Sequence, residues 1–497
     1  MITMLYRLLK SCNVGNKCRL STLLWSLAAW ILFLHIYNTL FPSGTLLPEP
    51  RNPWSKGMDI YADLEVYQRV HKSDRTADVG TKHPPRKKGR FPITIPFKNK
   101  GGDRIEEARE QAALQKLAVL FPGRKYAIDP SKTSSGNVGY FYPGRQWRDT
   151  DGKTIQAHGG GILYVEGTQT FYWYGENKDG PTYHAGKHGL ARVDVLGISC
   201  YSSKDLWAWK FEGMALRGER VDKSSDLYFR NVVERPKVIY NARTKNYIMW
   251  MHIDNGNYSK AAVGVAISTQ PEGPFEYMGS KRPHGCDSRD MTIFKDDNGD
   301  AYIIYSSLTN SELHIGMLTE DYTDIVERGM KKALVSQHRE APAVFKHRNI
   351  YYMVTSGCTG WNPNGALVHV AESMLGPWAT LGDPCIGGED EEFRSHTFFS
   401  QGSFVLPLPG LTDSFLFMAD RWRPANLADS RYVWLVLTMG ASAVPIDDAE
   451  FSFKFPQCKQ VQIPWAEKWK LPEDWKGALK RSSSRVIQLT WYSSWVS

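Results

Sequence analysis

The sequence predicts an all-β fold, a five-bladed β-propeller, carried behind an N-terminal transmembrane helix and a stem. Three observations predict it. Turn formers and aromatics are abundant, with 42 Gly, 27 Pro, 17 Trp and 24 Tyr in 497 residues, which suits many short strands joined by tight turns. A composite unit of apolar strand, polar turn and aromatic strand recurs five times. The units begin near residues 161, 236, 291, 341 and 402, and four-stranded repeats near 50 residues long are propeller blades.

The chain opens with a short cytosolic tail, residues 1–19, holding Arg7, Lys10, Lys17 and Arg19. A transmembrane signal anchor is expected over 20–42. Between Leu20 and Pro48 there is no Asp, Glu, Lys or Arg, and the apolar run Leu23–Phe41 is long enough for a hydrocarbon layer of about 30 Å. No small-residue cleavage pattern follows it, so the segment is read as retained rather than removed. Basic residues before the span and none directly after it place the N-terminus in the cytosol, a type II topology.

Residues 43–125 read as a lumenal stem. It holds the basic run His83-Pro-Pro-Arg-Lys-Lys-Gly-Arg90 and one amphipathic helix, Ile105–Leu120, whose apolar positions recur at three- and four-residue spacing. The formal net charge of +9 is carried by tail and stem, and the remainder is nearly neutral, which argues against a nucleic-acid partner. Five Cys follow the span: Cys200, Cys286, Cys358, Cys385 and Cys458. That is far too few for a disulfide scaffold, and an odd number leaves at least one unpaired in the monomer. Asn257-Tyr258-Ser259 is a glycosylation sequon, so Asn257 is the expected glycan acceptor.

The propeller is expected over 126–460. Its hairpins pair Gly161–Val165 with Thr170–Tyr174, Pro236–Tyr240 with Tyr247–Met251, Met291–Phe294 with Ala301–Tyr305, Ala341–Phe345 with Ile350–Val354, and Gly402–Leu406 with Ser414–Met418. The turn Asp296-Asp-Asn-Gly-Asp300 is a strong hairpin signal. The stretches Ser202–Trp207, Ser268–Phe275 and Glu372–Trp378 mark the outer edge of the same unit. A C-terminal extension, 461–497, carries Trp465, Trp469 and Trp475 without a clear repeat.

In a propeller the innermost strand of each blade lines the axis, so the residues entering those strands converge at one end of the channel. Those positions read His158-Gly-Gly-Gly161, Glu234-Arg235, Arg289-Asp290, Arg339-Glu340 and Ser400-Gln401. Three carboxylates therefore occupy matched positions of three blades. Like charges gathered in a cleft raise one another's pKa, which keeps a carboxylic acid protonated near neutral pH. Glycoside hydrolysis needs such an acid together with a group that activates water or attacks. Trp173, Tyr174, Trp361 and Trp422 are candidate faces for sugar stacking.

The five-unit pattern, with Asp290-Met-Thr-Ile-Phe-Lys-Asp-Asp-Asn-Gly-Asp-Ala-Tyr302 and Glu340-Ala-Pro-Ala-Val-Phe345, resembles family 43 glycoside hydrolases over roughly 155–445. The resemblance implies that Glu340 is the general acid and that Asp290 tunes its pKa. The family's blade-one Asp is missing at His158-Gly-Gly-Gly-Ile162. That departure, with Tyr174-Gly-Glu-Asn-Lys178, Glu234-Arg-Pro-Lys-Val-Ile-Tyr-Asn241 and Ser356-Gly-Cys-Thr-Gly-Trp-Asn-Pro-Asn364, is similar to the exo-β-1,3-galactanase branch. There Glu234 would hold substrate and Gln401 would activate water through its imidic tautomer. Glu176 is a rival carboxylate, and His158, Trp361 and Trp422 complete the expected substrate contacts. The anchored, basic-stemmed layout resembles plant Golgi members, which act on the β-1,3-galactan of arabinogalactan proteins. That implies a Golgi-membrane protein with its catalytic domain in the lumen.

No cofactor is expected, and no diagnostic metal-ligand spacing appears, although some family members hold a structural cation in the channel. The competing readings are a glycan-binding propeller without catalysis, an arabinofuranosidase or xylosidase of the same family, and a Golgi glycosyltransferase. The transferase reading would require Asp296–Asp300 to bind a metal rather than form a turn.

Overall fold

The computed structural model describes residues 111, 115–132, 138–184, 191–411, 413–443, 458–472 and 475. The chain divides into two units, 1–72 and 73–497, and every described residue belongs to the second. The expected tail, membrane anchor and most of the stem lie outside the described residues. Among the described residues no helix is long and apolar enough to cross a membrane. Of the expected stem helix, residues 115–120 are helical. This end rests against the fifth blade: the Arg421 guanidinium donates to the Leu120 carbonyl at 3.0 Å, and Lys116 lies 4.7 Å from the Phe399 ring centre.

Five antiparallel sheets form the propeller. Blade I comprises His158–Val165, Thr170–Glu176, Gly197–Ser203 and Lys210–Arg217, from axis to rim. Blade II comprises Val232–Asn241, Asn246–Asp254, Ala262–Ser268 and Glu276–Lys281. Blade III comprises Met291–Lys295, Ala301–Ser307, Glu312–Met317 and Lys331–Ala333. Blade IV comprises Arg339–His347, Ile350–Gly357, Leu367–Ala371 and Ala379–Gly382. Blade V comprises Gln401–Pro407, Ser414–Arg421, Arg431–Ala443 and Lys459–Pro464, with Cys385–Ile386 added in parallel outside the last.

The hairpins follow local chemistry. In the Asp296–Asp300 turn the Asp296 amide donates to the Asp300 carbonyl at 2.8 Å, and Gly299 sits at φ +91°, where a side chain would be strained. The stretches read as outer edges join the third and fourth strands of blades I, II and IV. The expected boundary between propeller and extension, at 460, falls inside the fourth strand of blade V.

The ring closes through side chains and through a two-stranded sheet that pairs Tyr140–Phe141 of the lead-in with Trp469–Lys470; among the described residues no strand is shared between blades I and V. Trp147, Trp173, Trp209, Trp434, Trp469 and Trp475 meet in one buried cluster between them, and the Trp469 ring stacks on Phe141 at 4.1 Å. The lead-in segment and the residues after 464 thus supply the closure, with burial worth roughly 1.5–3 kcal/mol per large apolar side chain. Trp173 and Tyr174, read as possible sugar platforms, are 1% and 0% exposed and belong to the core. All five described cysteines are free.

Candidate active site

Four of the five innermost strands break register as they enter the sheet. The shifts lie between His158 and Gly161, Glu234 and Lys237, Glu340 and Ala343, and Gly402 and Phe404. Each is a bulge, a device that re-aims side chains at the end of a strand. Gly159, Arg235 and Ala341 occupy the left-handed region there, at φ +61°, +56° and +50°. This is why residues at matched blade positions converge on one cleft of about 340 Å³. Its lining includes Glu234, Asp290, Glu340, Gln401, Trp361 and Trp422, and Glu176 as well.

Arg235 organises the floor. Its Nε and Nη2 grip the two Asp290 oxygens at 2.9 and 2.8 Å, and Nη2 also donates to Gln401 Oε1 at 2.6 Å. Its Nη1 donates to the Gly402 carbonyl at 3.2 Å. Such a bidentate fork fixes direction as well as distance. The other two arginines beside matched carboxylates bond elsewhere: Arg339 donates to Thr355 and to the Gly365 carbonyl, and Arg289, which lines the cleft, pairs with Asp287 at 2.5 Å.

Gln401 has every hydrogen-bonding position filled. Its oxygen accepts from Arg235 and from Trp422 Nε1 at 3.0 Å, and its Nε2 donates to Glu340 Oε1 at 3.2 Å and Ser356 Oγ at 3.0 Å. Glu340 accepts a second bond, from Asn310 Nδ2 to Oε2 at 3.0 Å. Burial, and then the negative charge of Asp290, push the Glu340 carboxyl up to about 8 against the lowering pull of Arg235. It therefore carries a proton at neutral pH.

The opposite wall is an ion network. Tyr258 Oη donates to Glu234 Oε1 at 2.9 Å, His252 Nδ1 lies 3.4 Å from Oε2, and Lys178 Nζ lies 3.7 Å from Oε1. The far side of the His252 ring meets Asp254 at 3.1 Å. Burial works to raise the Glu234 pKa, but the bond from His252, the Lys178 charge and the Tyr258 hydroxyl outweigh it and hold the carboxyl at about 2. His252 loses by burial and gains more from Asp254 and Glu234, reaching about 9. Lys178 also meets Glu176 at 2.5 Å and lies 5.2 Å from the Trp361 ring centre.

The blank in blade I has a physical cause. A Cβ on Gly159 would stand 2.2 Å from Glu176 Oε1, so the carboxylate of the second strand occupies the space a side chain on the first would need. Gly160 is equally constrained, since its Cβ would lie 1.7 Å from the Tyr174 carbonyl oxygen. The Gly-Gly-Gly run and Glu176 are two halves of one arrangement.

His158, expected to touch substrate, does not line the cleft. It is fully buried, with Nδ1 2.8 Å from Asp420 Oδ1 and its ring stacked on Tyr432 at 4.7 Å. Asp420 in turn accepts the Gly159 amide at 2.9 Å. His158 and Asp420 thus hold the bulge in place from behind. Trp361 and Trp422 do line the cleft and pack edge to face at 4.9 Å. Asn257 is exposed on the loop that delivers Tyr258, its Oδ1 accepting from Ser259 Oγ at 2.8 Å.

The sequence reading passed over Asn310, His252, Tyr258, Asp420 and Lys178 as functional side chains. His252 is the cross-strand partner of Glu234, and Asp254 stands two residues on along the same strand face, a spacing that could have flagged them.

Among the described residues no group of three or more His, Cys, Asp or Glu is placed to hold a metal ion. The residues do not fit a channel cation either. The Arg235 guanidinium already neutralises Asp290, and Lys237 Nζ stands among the inner strands, donating to the Gly159 carbonyl at 2.9 Å.

The family model for glycosyl hydrolases family 43 matches residues 161–392. Among solved structures, a β-1,3-galactosidase of that family is 32% identical with a TM-score of 0.57, over 69% of this chain and 65% of that one. The exo-β-1,3-galactanase of Phanerochaete chrysosporium, solved with galactose, is 35% identical with a TM-score of 0.56, over 68% and 69%. A Glu-to-Gln variant of it is solved with β-1,3-galactotriose. A second β-1,3-galactosidase, holding galactodeoxynojirimycin, is 36% identical with a TM-score of 0.57, over 67% of this chain and 100% of that one. No curated protein sequence matches at a significant level.

Proposed function

The chain belongs to family 43 of the glycosyl hydrolases, and from that premise we propose that it is an inverting exo-β-1,3-galactosidase with Glu340 as general acid. One observation carries the reading. A buried carboxyl held near pKa 8 faces an ionised wall across a cleft sized for small ligands, so one side gives a proton while the other grips hydroxyls.

In this mechanism Glu340 protonates the departing glycosidic oxygen. Asp290, locked by Arg235, keeps that proton in place until charge develops in the transition state. Glu234 and Glu176 accept hydrogen bonds from the terminal galactose, and Trp361 and Trp422 close over its ring. Gln401 is assigned to the attacking water. A plain amide is a poor base, and the two donors on its oxygen favour the amide form, so Gln401 takes a proton from water only as the imidic tautomer and only once its nitrogen is released from Glu340 or Ser356. The substrate assignment is supported by the neighbours, solved with galactose and β-1,3-galactotriose.

The natural substrate in this proposal is the β-1,3-galactan of arabinogalactan proteins. The enzyme meets it in the Golgi lumen, anchored through 20–42 with Asn257 glycosylated. The apolar span, its basic flank and the exposed sequon support that placement.

Product analysis tests the function. Incubation with β-1,3-, β-1,4- and β-1,6-galactans, arabinan and xylan is expected to release galactose from the first alone, with the anomeric configuration inverted. Pentose release would move the protein to an arabinofuranosidase or xylosidase. Binding without any release would make it a lectin-like propeller.

A further inference from the structure

Behind the segment Glu176–Asp179 lies a second cavity, about 470 Å³ against about 340 Å³ for the cleft. Both volumes fall in the range of about 300–1,000 Å³ usual for small-molecule sites. The two cavities share that segment as a wall: Glu176 lines the cleft, while Asn177 and Asp179 line the second cavity. Its other sides come from the lead-in before blade I, through Arg124, Arg148, Lys153 and Gln156, and from blade I itself.

The lining has unused hydrogen-bonding capacity. Gln156 is 6% exposed; its Nε2 donates to the Ala428 carbonyl at 2.9 Å, but its buried Oε1 has no hydrogen-bond partner. Arg148 donates from Nη1 to the Gly152 carbonyl at 3.1 Å, and its buried Nε, 3.9 Å from Asp129 Oδ2, makes no hydrogen bond. Native structures rarely leave such groups unmet. One is an acceptor and the other a donor, the two functions a hydroxyl group supplies, and both atoms lie just beneath the cavity surface. The cavity also offers apolar surface, since Tyr201 and Phe211 line it with ring centres 5.1 Å apart. Cations and carboxylates are mixed here, with Asp149 buried and held by the amides of Asp151 and Lys153 at 3.0 and 2.8 Å. A polyhydroxylated ligand suits that mixture better than a simple ion.

We propose that this cavity is a second saccharide site, which holds sugar residues of the glycan beyond those in the cleft. The proposal rests on the glycosidase reading of the cleft. Two back-to-back sites would keep a polymer on the enzyme between cleavages, so that polymeric galactan outcompetes short oligosaccharides.

The test is calorimetric. β-1,3-Galactotriose is titrated into the full-length Glu340→Gln protein, which does not turn it over, with the cleft saturated by galactodeoxynojirimycin. One further saturable site is expected, weakened at least fivefold by Arg148→Ala and by Lys153→Ala. No binding to the saturated parent, or the same affinity in both variants, would overturn the proposal. Failure of the cleft reading shows separately, as no galactose release by the unmutated enzyme and no galactodeoxynojirimycin binding. In that event galactotriose binding to the Arg148 and Lys153 variants still decides the second site.

Discussion

The two walls of the cleft hold carboxyl groups of the same chemical kind in opposite states. Glu340 is buried and Glu234 is nearly so, its side chain 12% exposed, and both stand at the mouth of an innermost strand, yet one is held near 8 and the other near 2. The difference lies in their partners. Glu340 meets two side-chain amides, from Gln401 and Asn310, and the negative Asp290. Glu234 meets a cationic imidazole, an ammonium group and a phenol. Burial alone would raise both, so the assignment of acid and anion is made by the surroundings.

Removing the proton donor tests the first wall most severely. Glu340→Gln is expected to lower kcat on β-1,3-galactobiose by about 10³-fold, within the range for a general acid. An activated aryl galactoside, which needs less protonation, should lose much less. Equal losses on both substrates would mean that Glu340 does something other than give a proton.

The second wall is tested by removing its ammonium. Lys178→Met leaves Glu176 and Glu234 facing each other with less compensation, and KM for galactobiose should rise about tenfold, with the acid limb of kcat/KM moving to higher pH. An unmoved acid limb would show that His252 alone holds Glu234 ionised. A smaller change comes from Tyr258→Phe, which removes one hydrogen bond to a charged acceptor. Its cost of about 1.5 kcal/mol, the low end for a bond to a charged acceptor because the Glu234 side chain is partly solvated, corresponds to roughly a tenfold loss, read as KM with kcat nearly unchanged.

The contrast also has a stability signature. A carboxyl whose folded pKa is raised above its unfolded value costs nothing below that value and costs more as pH climbs toward the folded one. Glu340→Gln should therefore melt with the parent near pH 4 and above it near pH 8, by a few degrees. Glu234, held low, acts in the opposite sense. Its contribution is present above its unfolded pKa of about 4.3 and is lost as pH falls toward 2, so the Tyr258→Phe deficit should shrink in acid.

Much of this architecture is legible in the sequence because it rests on local rules. Turn residues such as Asp296–Asp300 declare hairpins, and their repetition declares blades. Glu234, Asp290, Glu340 and Gln401 follow from counting to the start of each inner strand. Direction is less legible. Arg235, Arg289 and Arg339 all sit beside a matched carboxylate, but only Arg235 grips one of the three: it holds Asp290, while Arg289 lines the cleft paired with Asp287 and Arg339 bonds Thr355 and Gly365. Glu176 could not be told from a hairpin-end residue until Gly159 was seen to vacate its space. His158 reads as a ligand on position alone; its burial against Asp420 and Tyr432 depends on blade V, more than 260 residues away in sequence.

The central claim is that Glu340 holds a proton at neutral pH. Infrared difference titration of the parent against Glu340→Gln measures it directly. A protonated carboxyl band that persists to about pH 8 is the result expected here, and a band already gone by about pH 5 would contradict it.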